Sequence, residues 1–383
     1  MSLNVCEQRS NMILRANEIF EIERKHRFLT VRFKAPQRVL TTSAMFGGER
    51  TDLLQILNCQ TCEANAHHER AKSLHLLSLQ AMHDEACLEA KCESATTALL
   101  GTAANMDYAA VQEAEYEDAK VTAIVTAGVQ GNAVRTGDAA TWHEGEKGYL
   151  PVHAVPGTIN IIVLFHQSLS SAALARAVVT LTEAKSRALQ DLAIPSRYST
   201  GLATGTGTDQ FAIAAPFSET PRFHWTGQHA KLGELVGSAV HKAVLEALRW
   251  QNGLEPSITR RLSHALGRYG VKQDQLSAQL SAQASNEEER KFLLESLAMI
   301  EHDPKVSAVA YAIASVLDRE LAGVLPHESA LESVRHQCAL LSTHLSAKPE
   351  RLCDYLRLLE PLDGQVAAQL SHAIILGWRD KWN

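Results

Sequence analysis

No strong charge of either sign marks this 383-residue chain: 37 Lys and Arg stand against 43 Asp and Glu, with a net charge of -6 and an isoelectric point near 6.3. Binders of nucleic acid or anionic membranes usually carry a basic footprint, so neither partner is expected. Long apolar runs are missing too. The most apolar stretches, such as Ile159 to Phe165, fall well short of the roughly eighteen residues a membrane span needs. Cysteine is sparse, with seven irregularly spaced residues and no secretory n-region or h-region ahead of them. That pattern excludes a disulfide framework and places the protein, by expectation, in a reducing cytoplasm. No Gly-Lys-Ser or Gly-Lys-Thr follows the glycine-rich turns, and dinucleotide spacing is absent, which argues against an ordinary ATPase or dehydrogenase. A Gly-x-Ser-x-Gly elbow is also absent, so a serine triad is not indicated.

What is present is an ordinary globular composition, 45% hydrophobic and 21% charged, in a chain long enough for two domains. Phe28 to Phe33 and Arg38 to Ser43 read as strands joined by an Ala35-Pro36-Gln37 turn into a hairpin, with Thr41 and Ser43 at a strand end either capping the turn or touching a ligand. Glu63 to Leu100 has helical spacing through Leu74, Leu77 and Ala81. Cys59-x-x-Cys62 and His67-His68 raise the question of zinc, but no second pair completes a site and adjacent histidines would leave a helix on different faces. Lys120 to Val125 is a β-branched run, and Pro156 to Leu164 reads as the best strand, apolar enough to be central. Asn160 is its polar member and needs partners, from neighbouring backbone or from a bound substrate. Ser170 or Ser171 caps a helix reaching Leu192, with Leu174, Ala177, Val178, Leu181, Ala184 and Ala188 on its stripe and Glu183 and Lys185 off centre, as on a solvated face.

The stretch Leu202 to Leu235 is the most elaborate. Gly205-Thr206-Gly207-Thr208 forms a turn closed by Asp209. Phe223-His224-Trp225 reads as a short strand, and Gly227 precedes a helix from about His229 to Arg249. Glycines let backbone approach a ligand or aim N–H groups at an anion, and threonines add hydroxyls. His229 and Lys231 in a helix's first turn oppose the macrodipole, which a bound anion or developing oxyanion would explain. Beyond Trp250 strand signals vanish, and five or six helices are expected, with starts at Asp303-Pro304 and Pro326-His327 and an apolar face through Val306, Val309, Ala310, Ile313, Val316 and Leu317.

Phe33-Lys34-Ala35-Pro36, Leu40-Thr41-Thr42-Ser43-Ala44, Val125-Thr126-Ala127-Gly128, Pro156-Gly157-Thr158-Ile159-Asn160-Ile161, Thr182-Glu183-Ala184-Lys185, Thr204-Gly205-Thr206-Gly207-Thr208-Asp209 and Gly227-Gln228-His229-Ala230-Lys231-Leu232-Gly233-Glu234 occur in this order. Together they resemble the adenosylcobinamide amidohydrolase family over about residues 28–249. The resemblance implies hydrolysis of the aminopropanol amide of adenosylcobinamide to adenosylcobyric acid, in corrinoid salvage. A corrinoid-binding carrier or regulator without chemistry, or an amidohydrolase for a different amide, is the alternative.

Amide hydrolysis needs an activated nucleophile, a stabilised oxyanion and a protonated leaving amine. Expected catalytic residues are His229 as acid or base, Asp209 or Glu234 to orient it or a water, and Lys231 to assist. Thr206, Gly207 and Thr208 are expected to donate to the oxyanion, with Thr206, Thr208 or Ser43 open as a covalent nucleophile. Asn160, Glu183, Thr41 and Ser43 complete the expected substrate contacts. Asp209, His229 and Glu234 include metal-ligating types, but their spacing demands no metal, and the corrinoid is substrate, not cofactor. The expected fold is α/β or α+β: a mostly buried sheet with flanking helices in residues 1–250, then an all-α domain in 251–383, for which covering the site, self-association into a homo-oligomer and binding a partner stay open.

Overall fold

The computed structural model describes residues 12–61, 78–140, 142–145, 148–151, 157–359 and 366–382. Cys62, His67, His68, Leu74, Leu77 and Pro156 lie outside the described residues. The chain divides into two compact units: Met1–Tyr198 with Leu202–Gly253, and Ser199–Gly201 with Leu254–Asn383.

In the first unit the strands are, in chain order, β1 (Met12–Ala16), β2 (Phe20–Lys25), β3 (Phe28–Phe33), β4 (Gln37–Thr41), β5 (Gly48–Arg50), β6 (Gln55–Gln60), β7 (Thr97–Thr102), β8 (Ala110–Tyr116), β9 (Ala119–Ala127), β10 (Ala133–Val134), β11 (Trp142–Gly145), β12 (Gly148–Pro151), β13 (Ile159–Phe165), β14 (Gly205–Thr206) and β15 (Gln210–Pro216). Its helices are α1 (Leu79–Ala90), α2 (Ser171–Asp191) and α3 (Lys231–Asn252). One sheet has the order β1-β2-β3-β6-β7 and the other β5-β4-β15-β13-β9-β8; short pairs β10-β14 and β11-β12 stand apart. Among the described strand pairs only β6-β7 and β13-β15 are parallel.

The two sheets stack. Ile22, Leu29, Val31 and Ile56 of the first share a core with Ile124, Ile162, Leu164 and Ala212 of the second. Because side chains alternate along a strand, Ile159, Ile161 and Val163 face the other side of β13, and α2 and α3 cover that layer. Every residue of β13 is therefore buried, which is why its sequence is continuously apolar.

The expected hairpin between residues 28–33 and 38–43 does not form. Its first strand pairs with β2 and β6, and its second with β5 and β15 in the other sheet. Pro36 lies where the chain crosses between layers, where its missing N–H costs no ladder bond. Within the described residues the helix expected over 63–100 does not reach its far end: α1 stops at Lys91, whose left-handed backbone (φ 56°) ends it, and Thr97–Thr102 is β7. Pairing with β6 overrides the alanine- and leucine-rich local preference there.

The second unit is helical: α4 (Pro256–Thr259), α5 (Leu262–Leu266), α6 (Gln273–Gln283), α7 (Glu287–His302), α8 (Pro304–Leu321), α9 (His327–Ser346), α10 (Leu352–Leu358) and α11 (Val366–Trp382). That is eight helices among the described residues, against five or six expected; the extra ones are one- or two-turn pieces. Asp303 caps α8 by accepting from the N–H groups of Lys305 (2.8 Å) and Val306 (3.2 Å). Val306, Val309, Ala310, Ile313 and Leu317 enter the bundle core as their spacing predicts. Among the described residues no helix is long and apolar enough to cross a membrane.

Candidate functional site

The Gly205–Asp209 turn leads into β15, which parallels β13 with Gln210 beside Asn160. Antiparallel pairing sets Asn160 beside Thr126 of β9 and Ala212 beside Thr41 of β4. One end of the six-stranded sheet thus collects motifs that the sequence scatters over 170 positions, from Thr41 to Gln210. Phe33-Lys34-Ala35-Pro36 is not among them, since Gln37 pairs with Pro216 at the other end.

Asp209 holds this end together. One carboxylate oxygen accepts from Ile159 N–H (3.0 Å) and from the Thr206 hydroxyl (2.5 Å). The other accepts from Thr206 N–H (3.0 Å) and from the Lys185 ammonium, reached from α2. Only 12% of the Lys185 side chain and 16% of that of Asp209 are exposed, so the pair is buried and each charge depends on the other. A Cβ at Gly205 would lie 2.4 Å from the Asp209 carboxylate and 2.8 Å from the Lys185 nitrogen, so only glycine fits. Around the turn, the Thr208 hydroxyl donates to Gly157 O (2.8 Å) and lies 2.6 Å from the Thr158 hydroxyl. Gly207 N–H donates to Asn132 O (3.3 Å), and Tyr198 O–H donates to the Asn132 side chain (3.0 Å). Gly207 and Thr208 are exposed, whereas Thr206 is buried.

Asn160 is fully buried, so it does not face a substrate in this structure. Its amide donates to Asn58 Oδ1 (2.9 Å) and to Gly101 O (3.0 Å), Asn58 donates to Thr126 (2.8 Å), and Gly101 N–H donates to Gln210 (2.8 Å). The amide oxygen of Asn160 is left without a partner. Thr41 and Ser43 are buried too: Thr41 donates to Phe211 O (2.8 Å), and Ser43 donates to Met45 O (2.5 Å) while accepting from Leu99 N–H (3.0 Å). All three tie strands and sheets together.

The second glycine segment is built differently. The α3 helix begins at Lys231, not at His229, and Ala230 supplies no side-chain cap. His229 is exposed and makes no hydrogen bond or ion pair among the described residues. Lys231 bonds Glu234 (2.6 Å), and its ammonium lies 4.6 Å from the centre of the Tyr116 ring. The Glu234 carboxylate holds the Lys231 ammonium above its ordinary range. Tyr116 closes the β8-β9 hairpin opposite Ala119, the end of those strands away from Thr126. Lys231 therefore points away from the Gly205–Asp209 turn. Glu183 is exposed and accepts from Gln228.

The expected contact of His229 with Asp209 or Glu234 is thus not made: Asp209 is committed to the turn and Glu234 to Lys231. What links the two segments is α2. Lys185 and Ser186 bond Asp209 and Thr204 O on one side, and Thr180 and Glu183 bond Thr226 O and Gln228 on the other. The sequence does not single out Asn132, Gln210 or Tyr198 as site residues, and Lys185 reads there as part of a solvated face; the clue to it is its place beside the stripe residues Leu181, Ala184 and Ala188. Among the described residues no group of three or more His, Cys, Asp or Glu is arranged to hold a metal. Chemically, the arrangement offers a rigid, partly exposed turn of small and hydroxyl residues and an accessible imidazole, joined through one helix.

The family model for adenosylcobinamide amidohydrolase (CbiZ) matches residues 12–256. An uncharacterized protein of Methanocaldococcus jannaschii is 42% identical over 167 residues, 41% of this chain and 65% of that protein. An adenosylcobinamide amidohydrolase of Methanosarcina mazei is 32% identical over 170 residues, 42% of this chain and 71% of that protein. The chain thus spans about two thirds of the length of these curated relatives. A solved structure of a protein from Pyrococcus horikoshii aligns at 12% identity over 62% of this chain and 82% of that one, with a TM-score of 0.27 that carries no argument.

Proposed function

Since the chain belongs to the adenosylcobinamide amidohydrolase family, we propose that it hydrolyses the aminopropanol amide of adenosylcobinamide in cytoplasmic corrinoid salvage, releasing adenosylcobyric acid and 1-amino-2-propanol. The observation that carries the reading is the convergence of the family-like motifs on one sheet end and on α2. We assign the chemistry to residues 1–250 and treat 251–383 as a separate helical domain.

In this mechanism His229 takes a proton from water as its oxygen adds to the amide carbon, and returns a proton to the leaving nitrogen as the C–N bond breaks. The Gly205–Thr208 turn lies on the other side of α2 from His229, with the Gly207 N–H and the Thr208 hydroxyl donating to Asn132 O and Gly157 O, and it offers the exposed Gly207 and Thr208 to the periphery of the corrinoid. Asp209 acts as a positioning residue, because its four bonds shape that turn. Glu183 acts through Gln228 on the segment carrying His229, while Lys231 and Glu234 set the charge at the start of α3. A corrinoid is broad enough to touch both sides of α2 at once.

A corrinoid-binding carrier is the second reading, favoured by the lack of a carboxylate partner for His229 among the described residues. Product analysis separates the two. His229→Ala is expected to lower release of 1-amino-2-propanol by about 100-fold. Near-normal release in that variant would remove His229 from the mechanism, and binding without either product in the parent chain would leave the carrier.

A further inference from the structure

Trp225 is the most exposed aromatic side chain among the described residues, at 77%. Isolated exposed apolar residues are common, so exposure alone assigns nothing. What sets Trp225 apart is that the backbone on both sides of it is fixed. Phe223 N–H donates to Ser168 O, and Phe223 O accepts from Ser170 N–H, each at 3.1 Å. Thr226, fully buried, donates to Ala173 O (2.5 Å) and accepts at its own carbonyl from Thr180 (2.8 Å). A turn follows, closed by Ala230 N–H on Gly227 O (2.9 Å). The first turn of α3 presses against this segment so closely that a Cβ at Gly233 would lie 2.1 Å from Gly227 O. An indole held out by so fixed a segment has little ordering entropy left to lose on meeting a ligand.

Its neighbours suit a particular ligand. Arg176 on α2 lies over Gly227, its Nε 3.3 Å from where a Cβ would stand, and it is exposed with no acidic partner among the described residues. His229 follows within the same turn, also exposed. We infer that Trp225 and Arg176 form the seat of the corrinoid macrocycle, the indole packing against its conjugated, methyl-bearing face and the guanidinium donating to the carbonyls of its peripheral carboxamides. This inference rests on the corrinoid reading above. It puts the large, non-reacting part of the substrate beside the segment that carries His229.

Titration calorimetry of the full chain with adenosylcobyric acid, which keeps the macrocycle and has no aminopropanol arm to cut, tests the seat. Trp225→Ala should raise Kd about tenfold, and Trp225→Phe should recover most of the loss. Arg176→Ala should raise Kd about fivefold. A folded Trp225→Ala with the parent's Kd, or a Trp225→Phe that binds no better than Trp225→Ala, would overturn the seat and leave the functional reading intact. A parent chain that binds no corrinoid would overturn both.

Discussion

The Gly205–Asp209 turn and the Thr226–Glu234 segment are both rich in glycine, threonine and charge, and both lean on α2, yet their charges are used in opposite ways. Asp209 and Lys185 are buried and mutually dependent, and every bond that Asp209 makes is internal. Lys231 and Glu234 pair with side chains 43% and 60% exposed, and His229 has no pairing partner among the described residues. Where a charge is buried, losing its partner strands the other; where it is exposed, water and salt take over most of the role. The first segment thus sets shape, while the second has side chains free to meet a ligand.

Removing Asp209 should break the comparison most visibly. Asp209→Ala leaves the Lys185 ammonium buried without a counter-charge and takes the acceptor from the N–H groups of Ile159 and Thr206. A loss of about 3–5 kcal/mol in unfolding free energy is expected from urea titration. A loss below about 1 kcal/mol would mean that the pair is solvated like a surface one, erasing the contrast. Gly205→Ala should come next. The methyl would meet the Asp209 carboxylate at 2.4 Å, and that carboxylate cannot swing aside without breaking its other bonds, so about 1–3 kcal/mol is expected by the same titration. Unchanged stability would show that the lock has slack.

Much of this was legible in the sequence, in proportion to how local each feature is. The uninterrupted apolar run around Ile161 marked a central strand, the α2 stripe fixed its buried face, and the order of the short motifs carried the family. Asn160 stood out as a polar residue needing partners, and found them in Asn58 and Gly101, two positions no local pattern links to it. Lys185 misled because one face of a helix looks alike whether it meets water or a loop arriving from Asp209. Sheet membership misled in the same way: the strands on either side of Pro36 are well formed, but which sheet each joins is set by partners as distant as Ala212 and Ile213. His229 was singled out as a helix residue and stands two residues before the helix, where the macrodipole argument has less force.

The smallest effect is expected at Gly227, and it sharpens the comparison because the substitution matches that at Gly205. A methyl there would meet Arg176 Nε at 3.3 Å, with no backbone atom among the nearest contacts. Arg176 is exposed and has no acidic partner among the described residues, so its guanidinium can rotate away without stranding another charge. Gly227→Ala should therefore cost about 0.5 kcal/mol or less in the same titration. The same methyl would push Arg176 from its place over Gly227, so corrinoid binding should weaken while stability holds. At Gly205 the order reverses: the fold is strained first, and any change in binding follows from it. A Gly227→Ala variant as unstable as Gly205→Ala would show the second segment to be locked as tightly as the first, and the division between a shaping turn and a ligand-facing one would fall.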